Sequence, residues 1–450
     1  FAIFYLETRV LNLYNYYILL AIFFEGMINL TKVLGIVAEY NPFHNGHLYH
    51  LNKAVELIQP DYVIVIMSGN FTQRGEPTII DKWARTRMAL ENGIHLVLEL
   101  PTLYACQTAE LFADGAIKTL HQTGLVTHIA FGSEYHNLEH LNKTAKILAE
   151  EPIEYKKLLK AYLNQGLSFP AARLKAVKQY IRDTQQDDNL SSEIIDKILK
   201  GSNSILAIEY LKALIKLKSP IQPIIIPRVG STYNADIIEG EYSSATAIRK
   251  SILSGQKWDA ISHTLPNISL KILKDSINHG RGPVSINSFE QILLGMIRQA
   301  NPWEIASWMD VEEGLENRIR KYALECTSIE DFLSKAKTKR YTYTRLQRIL
   351  IHGLLGIKTD DVIKFGIKSG PSYIRILGFD TQATPLLNKL KKTAKLPIIT
   401  KPSHYYRHNS TNINKVFEYE ILATDLYTLA FPNPDQRRGG QELTQGIVRI

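Results

Sequence analysis

The amino-acid sequence predicts an α/β protein, with a doubly wound parallel sheet followed by a mainly helical C-terminal domain. From residue 33 to about residue 255, short continuous apolar runs alternate with segments whose apolar residues recur at helical spacing. Alternation of strand and helix implies parallel strands joined by right-handed crossovers, and a strand without polar positions is covered on both faces. Beyond residue 255 the strand pattern gives way to amphipathic helices.

The composition is that of an ordinary globular protein, with 450 residues of which 45% are hydrophobic and 22% are charged. This length favours two domains, which we predict at residues 27–255 and 256–450. The two cysteines, Cys106 and Cys326, exclude a disulfide framework and a Cys-rich zinc site. Such cysteine usage indicates a reducing, cytoplasmic setting.

The first 26 residues are interpreted separately from the rest of the chain. Their apolar run, residues 16–24, is shorter than the roughly 20 residues that cross a bilayer, and Glu7 weakens a secretory leader. Met27 directly precedes the first predicted strand, so residues 1–26 are predicted to be an upstream extension. A membrane-surface anchor is the alternative for this segment. Elsewhere the sequence contains no candidate membrane span, and no membrane partner is predicted.

The elements before residue 255 follow one another in a regular order. Strands are predicted at residues 33–38, 61–69 and 95–101, at a fourth run that ends near Phe131, and at residues 221–228. Helices are predicted at residues 48–58, 81–93, 109–124 and 243–255, with further helical sequence up to about Leu217. Ligands of such sheets bind beyond the carboxyl ends of the strands, where residues 40–47, Gly132 and Arg228 are expected to meet.

The stretch VLGIVAEYNPFHNGHLYH, residues 33–50, is the first candidate for chemistry. Pro42 ends the strand, and Asn45 and Gly46 open a helix whose N-terminus offers N–H groups and a partial positive charge to a phosphate. Gly46 also allows close approach to the backbone. His44 and His47 lie one helical turn apart, so they can donate hydrogen bonds to phosphate oxygens while negative charge builds during attack on the α-phosphorus.

Spacing alone leaves other interpretations of this histidine pair open. The two residues could be ordinary surface histidines near a turn, or a metal pair. No cysteine or acidic residue stands at a zinc-site spacing here, so no metal site is predicted. A second stretch, YSSATAIRKS, places Ser243 or Ser244 at a helix N-terminus and Arg249 more than one turn further on, although simple helix capping explains the serines equally well.

Charge is concentrated near the C-terminus of a chain whose formal net charge is +9. Residues 331–411 contain 11 Lys and 5 Arg against 4 Asp, a net charge of +12, with aromatic residues among the cations in KRYTYTRLQR and SHYYRHN. Cations follow phosphates and rings stack on unpaired bases, so this region is a candidate RNA surface. A solvated helical face with core tyrosines is the alternative. The first candidate tRNA contacts are Lys339, Arg340, Arg345 and Arg348.

Several stretches together resemble the bacterial tRNA(Met) cytidine acetate ligase family. They are GIVAEYNPFHNGHLYHL, MSGNFTQRGEP, DKWARTRMAL, ELP, FGSE, GLSFPAAR, SNSILAIEYLKAL and SSATAIR, continued by TRLQRILIHGLLGI and YIRILGF. The first and the last of the eight also resemble the His-x-Gly-His turn and the Ser-Ser-Thr-x-x-Arg element of nucleotidylyltransferases. The resemblance covers the chain from about Val33 to the C-terminal helices and implies a Rossmann-like nucleotidylyltransferase fold.

The resemblance implies an activity and a set of site residues. Members of this family adenylate acetate with ATP, here taken with Mg²⁺, and pass the acetyl group to the wobble cytidine of elongator tRNA(Met), forming N4-acetylcytidine. His44 and His47 would be catalytic. The ATP site would comprise Val37, Ala38, Glu39, Tyr40, Asn41, Pro42, Phe43, His44, Asn45, Gly46, His47, Leu48, Tyr49, His50, Gly132, Asn203, Arg228, Ser244 and Arg249. Ser204 stands where many relatives carry a second asparagine, but Asn203 itself is in place.

Two alternative functions remain at this stage, a small-molecule adenylyltransferase and a non-catalytic RNA-binding protein with a vestigial nucleotide fold. The basic, aromatic-rich C-terminal region argues against the first, and the intact histidine motif argues against the second. No G-x-x-x-x-G-K-[ST] stretch and no glycine-rich acetyl-coenzyme A loop occurs, which disfavours a P-loop ATPase. Asp81, Lys82 and Arg85 are further candidates that the sequence does not rank against Glu39.

Overall fold

The computed structural model describes residues 31–184, 190–228, 237–238, 240–312, 314–405 and 410–450. Within these ranges the strands form one eight-stranded sheet, and helices pack on both of its faces. The strands are β1 Val33–Ala38, β2 Tyr62–Ser68, β3 Leu96–Leu100, β4 His128–Ser133, β5 Gln222–Pro227, β6 Ile374–Phe379, β7 Ile398–Ile399 and β8 Val448–Arg449. The predicted segment 1–26 lies outside the described residues.

The first five strands are parallel and lie in the order β5, β4, β1, β2, β3. The chain runs outward from β1 to β3 and then returns to place β4 on the other side of β1. This reversal makes the β1–β4 boundary a topological switch point, where the carboxyl ends of two strands open a crevice. The prediction of a doubly wound parallel sheet is therefore confirmed.

The helices of the first half lie close to their predicted positions. Asp81 caps the helix Lys82–Glu91 through its side chain, and Ser244 caps the helix Ala245–Leu253 in the same way. Up to residue 278 the helices are α1 Asn45–Ile58, α2 Lys82–Glu91, α3 Thr102–Ala105, α4 Ala109–Gln122, α5 Leu138–Glu150, α6 Ile153–Asn164, α7 Phe169–Thr184, α8 Ser192–Lys200, α9 Ser202–Leu217, α10 Ala245–Leu253, α11 Asp259–Ser262 and α12 Asn267–Asn278.

The second half is mainly helical, as predicted from its amphipathic pattern. Its α-helices are α13 Glu290–Gln299, α14 Pro302–Ser307, α15 Leu315–Glu325, α16 Ile329–Ala336, α17 Tyr343–Leu354, α18 Thr359–Asp361, α19 Thr384–Thr393, α20 Pro402–Tyr405, α21 Thr411–Leu429 and α22 Gln441–Thr444. Short 3₁₀ turns occur at Ile286–Phe289, Thr381–Ala383 and Pro434–Gln436, and a π-helix runs over Val362–Lys368.

Three buried clusters hold these layers together. One face of the sheet packs mainly on α1, α2, α10 and α12, and the other mainly on α4, α5, α7, α8 and α9. The third cluster joins α13 to α17 with α21 and includes Phe71, Leu103 and Cys106 from the first half of the chain. The C-terminal helices thus pack directly against the segments that follow β2 and β3.

The sheet also continues across the predicted domain boundary near residue 256. β6 pairs antiparallel with β3, matching Leu96 with Phe379, and β7 and β8 pair parallel with β6. Residues just beyond the boundary, such as Leu265 and Leu273, belong to a core of the sheet. The division at residues 27–255 and 256–450 stays a prediction, and the structure adds that the two parts share one sheet. Among the described residues, no helix is both long and apolar enough to cross a membrane.

Candidate active site

A cleft of about 260 Å³ opens at the carboxyl ends of β1, β4 and β5, next to the switch point. It brings together most of the residues expected in the ATP site from several separate parts of the chain. Those that line the cleft are Val37, Ala38, Glu39, Tyr40, Asn41, His44, Gly46, His47, Tyr49, His50, Gly132, Asn203, Arg228, Ser244 and Arg249. The structure thus brings most of the predicted set to one cleft, and the role of these residues in ATP binding stays a prediction.

Four members of the predicted ATP-binding set do not line the cleft, namely Pro42, Phe43, Asn45 and Leu48. Phe43 is fully buried in the core with its ring edge against Tyr40, at 4.7 Å between centroids. The Asn45 side chain donates to the His263 carbonyl at 2.9 Å and so ties α1 to the turn after α11. These residues support the turn around the cleft, and their assignment as nucleotide contacts stays a prediction.

The two histidines cap α1 in a reciprocal arrangement. His44 Nδ1 accepts a hydrogen bond from the Gly46 N–H at 3.0 Å, and His47 Nδ1 accepts one from the His44 N–H at 3.3 Å. The rings stack with centroids 3.8 Å apart and planes at 28°. Because a neutral imidazole that accepts at Nδ1 carries its proton on Nε2, each ring keeps one N–H donor for a ligand.

Burial keeps these imidazoles neutral. The pKa of His44 falls to about 3, because the ring is desolvated and Arg228 and Arg249 lie near it. Burial also lowers the pKa of His47 well below its usual range, with His44 and His50 adding to the effect. The same causes, burial first and Arg228 second, lower the pKa of His50 to about 4. The histidines therefore act as neutral hydrogen-bond donors near pH 7.

The N-terminus of α1 differs from the expectation of free N–H groups. The N–H of Asn45 donates to the Thr264 carbonyl at 3.0 Å, and that of Gly46 is taken by His44. The His47 N–H donates to the His44 carbonyl at 2.8 Å. Since the first amides of the helix are already satisfied, recognition of an anion here depends on the imidazole Nε2–H groups and on the helix dipole.

Arg249 reaches the cleft from α10 but is held by two acceptors. Its guanidinium donates to the Asn41 carbonyl at 3.0 Å and to Glu76 Oε2 at 2.7 Å. The Ser244 hydroxyl accepts the Ala247 N–H at 3.0 Å, so this serine acts as a helix cap. Arg249 thereby joins the β1 turn to the loop that follows β2.

The remaining predicted residues come from the β4 side of the cleft. Asn203 donates through its backbone N–H and its side-chain amide to Glu134 Oε1, at 3.1 and 2.7 Å. Ser204, the departure from the pattern of relatives, donates its hydroxyl to Glu134 Oε2 at 2.9 Å. A Cβ placed on Gly132 would lie 3.4 Å from the Arg228 side chain, which is ordinary van der Waals contact, so this approach does not require a glycine.

The structure ranks the four charged residues that the sequence left unranked. Glu39 lines the cleft, and its carboxylate accepts the Gln73 N–H at 2.7 Å, while burial raises its pKa. Arg85 is fully buried and donates to the Glu39, Ser68 and Gly69 carbonyls. Asp81 caps α2 and pairs with Arg281 at 3.1 Å. Glu39 is thus the one of these four residues that lines the cleft.

Lys82 belongs to a buried charge network next to the paired strands β3 and β6. Its ammonium lies 2.6 Å from Glu99 and 2.5 Å from Glu442, and both carboxylates are 1% exposed or less. Arg375 and Glu420 complete the network, with Glu420 accepting from the Thr102 N–H and hydroxyl. These charges come from β3, β6, α2, α21 and α22, so the network joins the two halves of the chain.

The sequence interpretation missed the loop of residues 72–76, which lines the opposite side of the cleft. Thr72, Gln73, Arg74 and Glu76 all face it. The loop belongs to the stretch MSGNFTQRGEP, which contributed only to the family resemblance. A polar, charged run directly after a buried strand of a parallel sheet was the signal that could have identified it.

The four candidate tRNA contacts divide into two pairs. Lys339 and Arg340 are exposed, in the turn before α17. Arg345 donates to the Asp310 carbonyl at 2.7 Å, and Arg348, only 9% exposed, donates to Asp310 Oδ2 at 2.9 Å. The second pair therefore anchors α17 within the protein, and the exposed pair is better placed for a polyanion.

Clusters of metal-ligating side chains are absent from the part of the chain that the structure describes. No group of three or more His, Cys, Asp or Glu residues there could hold a metal ion. Mg²⁺ commonly binds through substrate phosphates while it keeps several waters. Among the described residues that line the cleft, Glu39 and Glu76 carry carboxylates.

Comparison with known proteins supports the resemblance seen in the motifs. The model of the HIGH Nucleotidyl Transferase family matches residues 31–442. A protein named tRNA(Met) cytidine acetate ligase from Acetivibrio thermocellus is 44% identical over 93% of this chain and 99% of its own length. A protein of the same name from a Thermoanaerobacter species is 46% identical over 89% of this chain and 96% of its own.

Solved structures agree with these sequence matches. Thermotoga maritima TmcAL, crystallised with alpha-thio ATP, has a TM-score of 0.87 and 40% identity, covering 93% of this chain and 99% of that one. Its apo form has a TM-score of 0.89 over 93% of this chain and all of the other. Such similarity, over nearly the full length of every protein compared, shows the family. The chain therefore belongs to the tRNA(Met) cytidine acetate ligase family, within the HIGH nucleotidyl transferases.

Proposed function

We propose that this protein is an ATP-dependent ligase that activates acetate as acetyl-AMP and transfers the acetyl group to the wobble cytidine of elongator tRNA(Met), forming N4-acetylcytidine. The observation that carries the proposal is the stacked pair of His44 and His47 at the switch-point cleft, in a chain 44% identical to a protein of that name. The alternatives, a small-molecule adenylyltransferase and a non-catalytic RNA-binding protein, are outcomes of the test below.

The first half-reaction is adenylation of acetate. A carboxylate oxygen of acetate attacks the α-phosphorus of ATP, the bond between that phosphorus and the oxygen bridging to the β-phosphate breaks, and pyrophosphate leaves. The Nε2–H groups of His44 and His47 are proposed to donate to the phosphate oxygens as charge builds on them. Because the pKa values of both rings lie below the physiological pH range, their protonation and their Nε2–H donors stay the same throughout that range.

The second half-reaction is acetyl transfer to RNA. The cytidine N4 amine is a poor nucleophile because its lone pair is delocalised into the ring, so the acetyl group needs a good leaving group. The amine attacks the acetyl carbonyl carbon, the bond from that carbon to the phosphate oxygen breaks, AMP leaves, and the amine loses a proton. Acetyl-AMP hydrolyses if exposed, which favours its retention in the cleft until RNA closes it. The target base must be unpaired, and an anticodon loop offers such a base.

The RNA surface is proposed to lie in the basic region of residues 331–411, beginning at the exposed pair Lys339 and Arg340. Arg345 and Arg348 were predicted with this pair, and their hydrogen bonds to Asp310 favour a supporting role. Residues 406–409, part of the second basic aromatic stretch, lie outside the described residues. Acetate as co-substrate, the choice of elongator tRNA(Met), Mg²⁺ and a cytoplasmic setting are parts of this proposal.

The ATP-binding role of the cleft residues is likewise proposed. Its support is their convergence on one cavity at the position where doubly wound sheets bind ligands. Arg228 lies near both His44 and His50 in the cleft. One cationic side chain and two neutral imidazoles would therefore face an anionic ligand together. Tyr40, with φ of +47°, holds the β1 turn in a left-handed conformation beside these donors.

The test combines purified protein with ATP labelled in its adenine ring, acetate labelled in its acetyl group and bulk tRNA, and follows pyrophosphate release and acetyl incorporation. Digestion of the RNA to nucleosides should yield labelled N4-acetylcytidine, and omission of ATP should abolish it. A transcript of tRNA(Met) with uridine at the wobble position is the matched control and should stay unlabelled. A labelled dinucleotide would indicate the small-molecule enzyme instead, and absence of any turnover would indicate the non-catalytic protein.

A further inference from the structure

The loop of residues 72–76 is a compact turn that is held from both sides. The Thr72 N–H donates to the Glu76 carbonyl at 2.8 Å, and the Gly75 N–H donates to the Thr72 carbonyl at 3.0 Å. Phe71 and Pro77 pair across its base. These bonds close the turn on itself, so it is expected to move as one unit.

On the cleft side, the loop contacts the partly exposed carboxylate of Glu39. The Gln73 N–H donates to Glu39 Oε1 at 2.7 Å, and Glu76 accepts from Arg249 at 2.7 Å. Arg74, between them, also lines the cleft. A shift of the loop would therefore change the charges that face a bound nucleotide.

On its other side, the loop packs directly on α17. Gln347 is 3% exposed, and its side-chain amide donates to the Gly75 carbonyl at 3.2 Å. Gly75 has φ of +77°, and a Cβ there would lie 2.6 Å from the Arg348 backbone nitrogen. Glycine is thus required both by the backbone conformation and by the close approach of the helix.

The same helix supports the loop by a second route. The Gln73 side chain donates to the Gln107 carbonyl at 2.7 Å, and the adjacent Cys106 carbonyl lies 2.7 Å from His352 Nε2. His352 is fully buried on α17, five residues after Gln347. Two contacts from one helix therefore position one loop.

The start of α17 is the exposed, basic end. Lys339 and Arg340 precede the helix, and Tyr343, its first residue, is 39% exposed. Gln347 follows Tyr343 by four positions, which is about 6 Å along a helix. A polyanion bound at the exposed end would lie roughly one helical turn from the contact with the loop.

We propose that the loop of residues 72–76 couples RNA binding on α17 to nucleotide binding in the cleft, with Gln347 as the positioning residue that joins them. This inference rests on the proposed function, since it takes the exposed end of α17 as the RNA side. Gln347 acts through Gly75 and touches no cleft ligand itself. Coupling of this kind is reciprocal, so tRNA should raise affinity for the nucleotide by the factor by which the nucleotide raises affinity for tRNA.

The test measures the affinity for an ATP analogue with a methylene group between its α- and β-phosphates, with and without tRNA. In the wild-type protein we expect tRNA to change this affinity by about fivefold or more. Gln347→Leu is similar in size but lacks the hydrogen-bond donor. In this variant the ratio of the affinities with and without tRNA is expected to be close to one. Its pyrophosphate release should fall by about three- to tenfold, the value of one net hydrogen bond.

The matched control is Ile349→Val, which removes one buried methyl group from the same helix without touching the loop. It should keep the wild-type affinity ratio even if it melts at a lower temperature. A wild-type ratio of one, an unchanged ratio in Gln347→Leu, or an equal loss in Ile349→Val would each overturn the coupling. Failure of the proposed function appears separately, as absence of acetylated tRNA from the wild-type protein, because the affinity ratio is measured without turnover.

Discussion

Replacement of His44 by asparagine and by alanine is expected to separate the two tasks of this side chain. Nδ1 accepts the Gly46 N–H at 3.0 Å and caps α1, which leaves Nε2–H as the donor for a phosphate oxygen. Asparagine has a side-chain oxygen that can cap a helix, whereas alanine has none. Neither residue places a donor where the imidazole Nε2–H lies.

The magnitudes follow from these two tasks. Loss of an N-cap costs about 1 kcal/mol of stability, so His44→Ala should be destabilised by about that amount and His44→Asn by only a few tenths. Loss of one preorganised donor to a transition state lowers the rate by about 10²–10³. Both variants should therefore lose acetate-dependent pyrophosphate release to a similar extent, although only the alanine variant loses stability.

The assay pairs pyrophosphate release from ATP and acetate with urea unfolding of each variant. Asn137→Ala is a suitable control, because Asn137 caps α5 by accepting the His140 N–H at 3.0 Å and does not line the cleft. It should lose about 1 kcal/mol of stability and keep its rate. Wild-type pyrophosphate release by His44→Asn would refute the donor role and leave His44 as a helix cap only.

The pKa of His44 also predicts that the free energy of unfolding depends on pH, and His44→Asn tests this. The pKa of His44 is about 3 in the folded protein against an ordinary value of 6.5. Below pH 6.5 the imidazole therefore binds a proton in the unfolded chain but not in the folded one. The contribution of His44 to the free energy of unfolding is complete above pH 6.5. It falls by up to about 1.4 kcal/mol per pH unit as the pH decreases towards 3. Between pH 7 and pH 4.5, His44→Asn should lose about 1–3 kcal/mol less than the wild type in urea unfolding. Equal losses would contradict this assignment.

Three further predictions concern other parts of the chain. Neutralising Lys339 and Arg340 should weaken tRNA binding and reduce the slope of log affinity against log salt by about 1–2. The control Lys157→Ala, at an exposed site on α6, should change neither the affinity for tRNA nor this slope. Lys82→Met should lower the free energy of unfolding by about 3–5 kcal/mol, because it leaves Glu99 and Glu442 without their shared cation, and urea unfolding would test this. Deleting residues 1–26 should leave ATP binding and pyrophosphate release unchanged, and loss of either would show that the segment is needed.

The elements of the sheet were predictable because each depends on a local pattern. Continuous apolar runs marked β1, β2 and β3, and the serines at residues 243–244 marked the cap of α10. The expectation that residues 40–47, Gly132 and Arg228 meet also followed, because parallel strands end at the same edge of a sheet. Most of this set lines the cleft, except Pro42, Phe43 and Asn45.

Other parts of the site depended on partners far away in the chain. The turn at residues 72–76 was missed because its contacts come from β1, α10 and α17. β6 was not predicted as a strand, since its pairing partner β3 lies more than 270 residues earlier. No periodicity within a short window reports such pairings.

The sequence by itself determined the doubly wound sheet, the histidine turn and the family, because local apolar patterns and short motifs carry that information. Only the tertiary structure decided which charges are available to a ligand. Arg348 pairs with Asp310, 38 positions earlier, and the first amides of α1 are taken by His44 and Thr264. The physical reason is that burial depends on how the whole chain packs. Basic residues that look alike in the sequence can therefore become either exposed or buried in the folded protein.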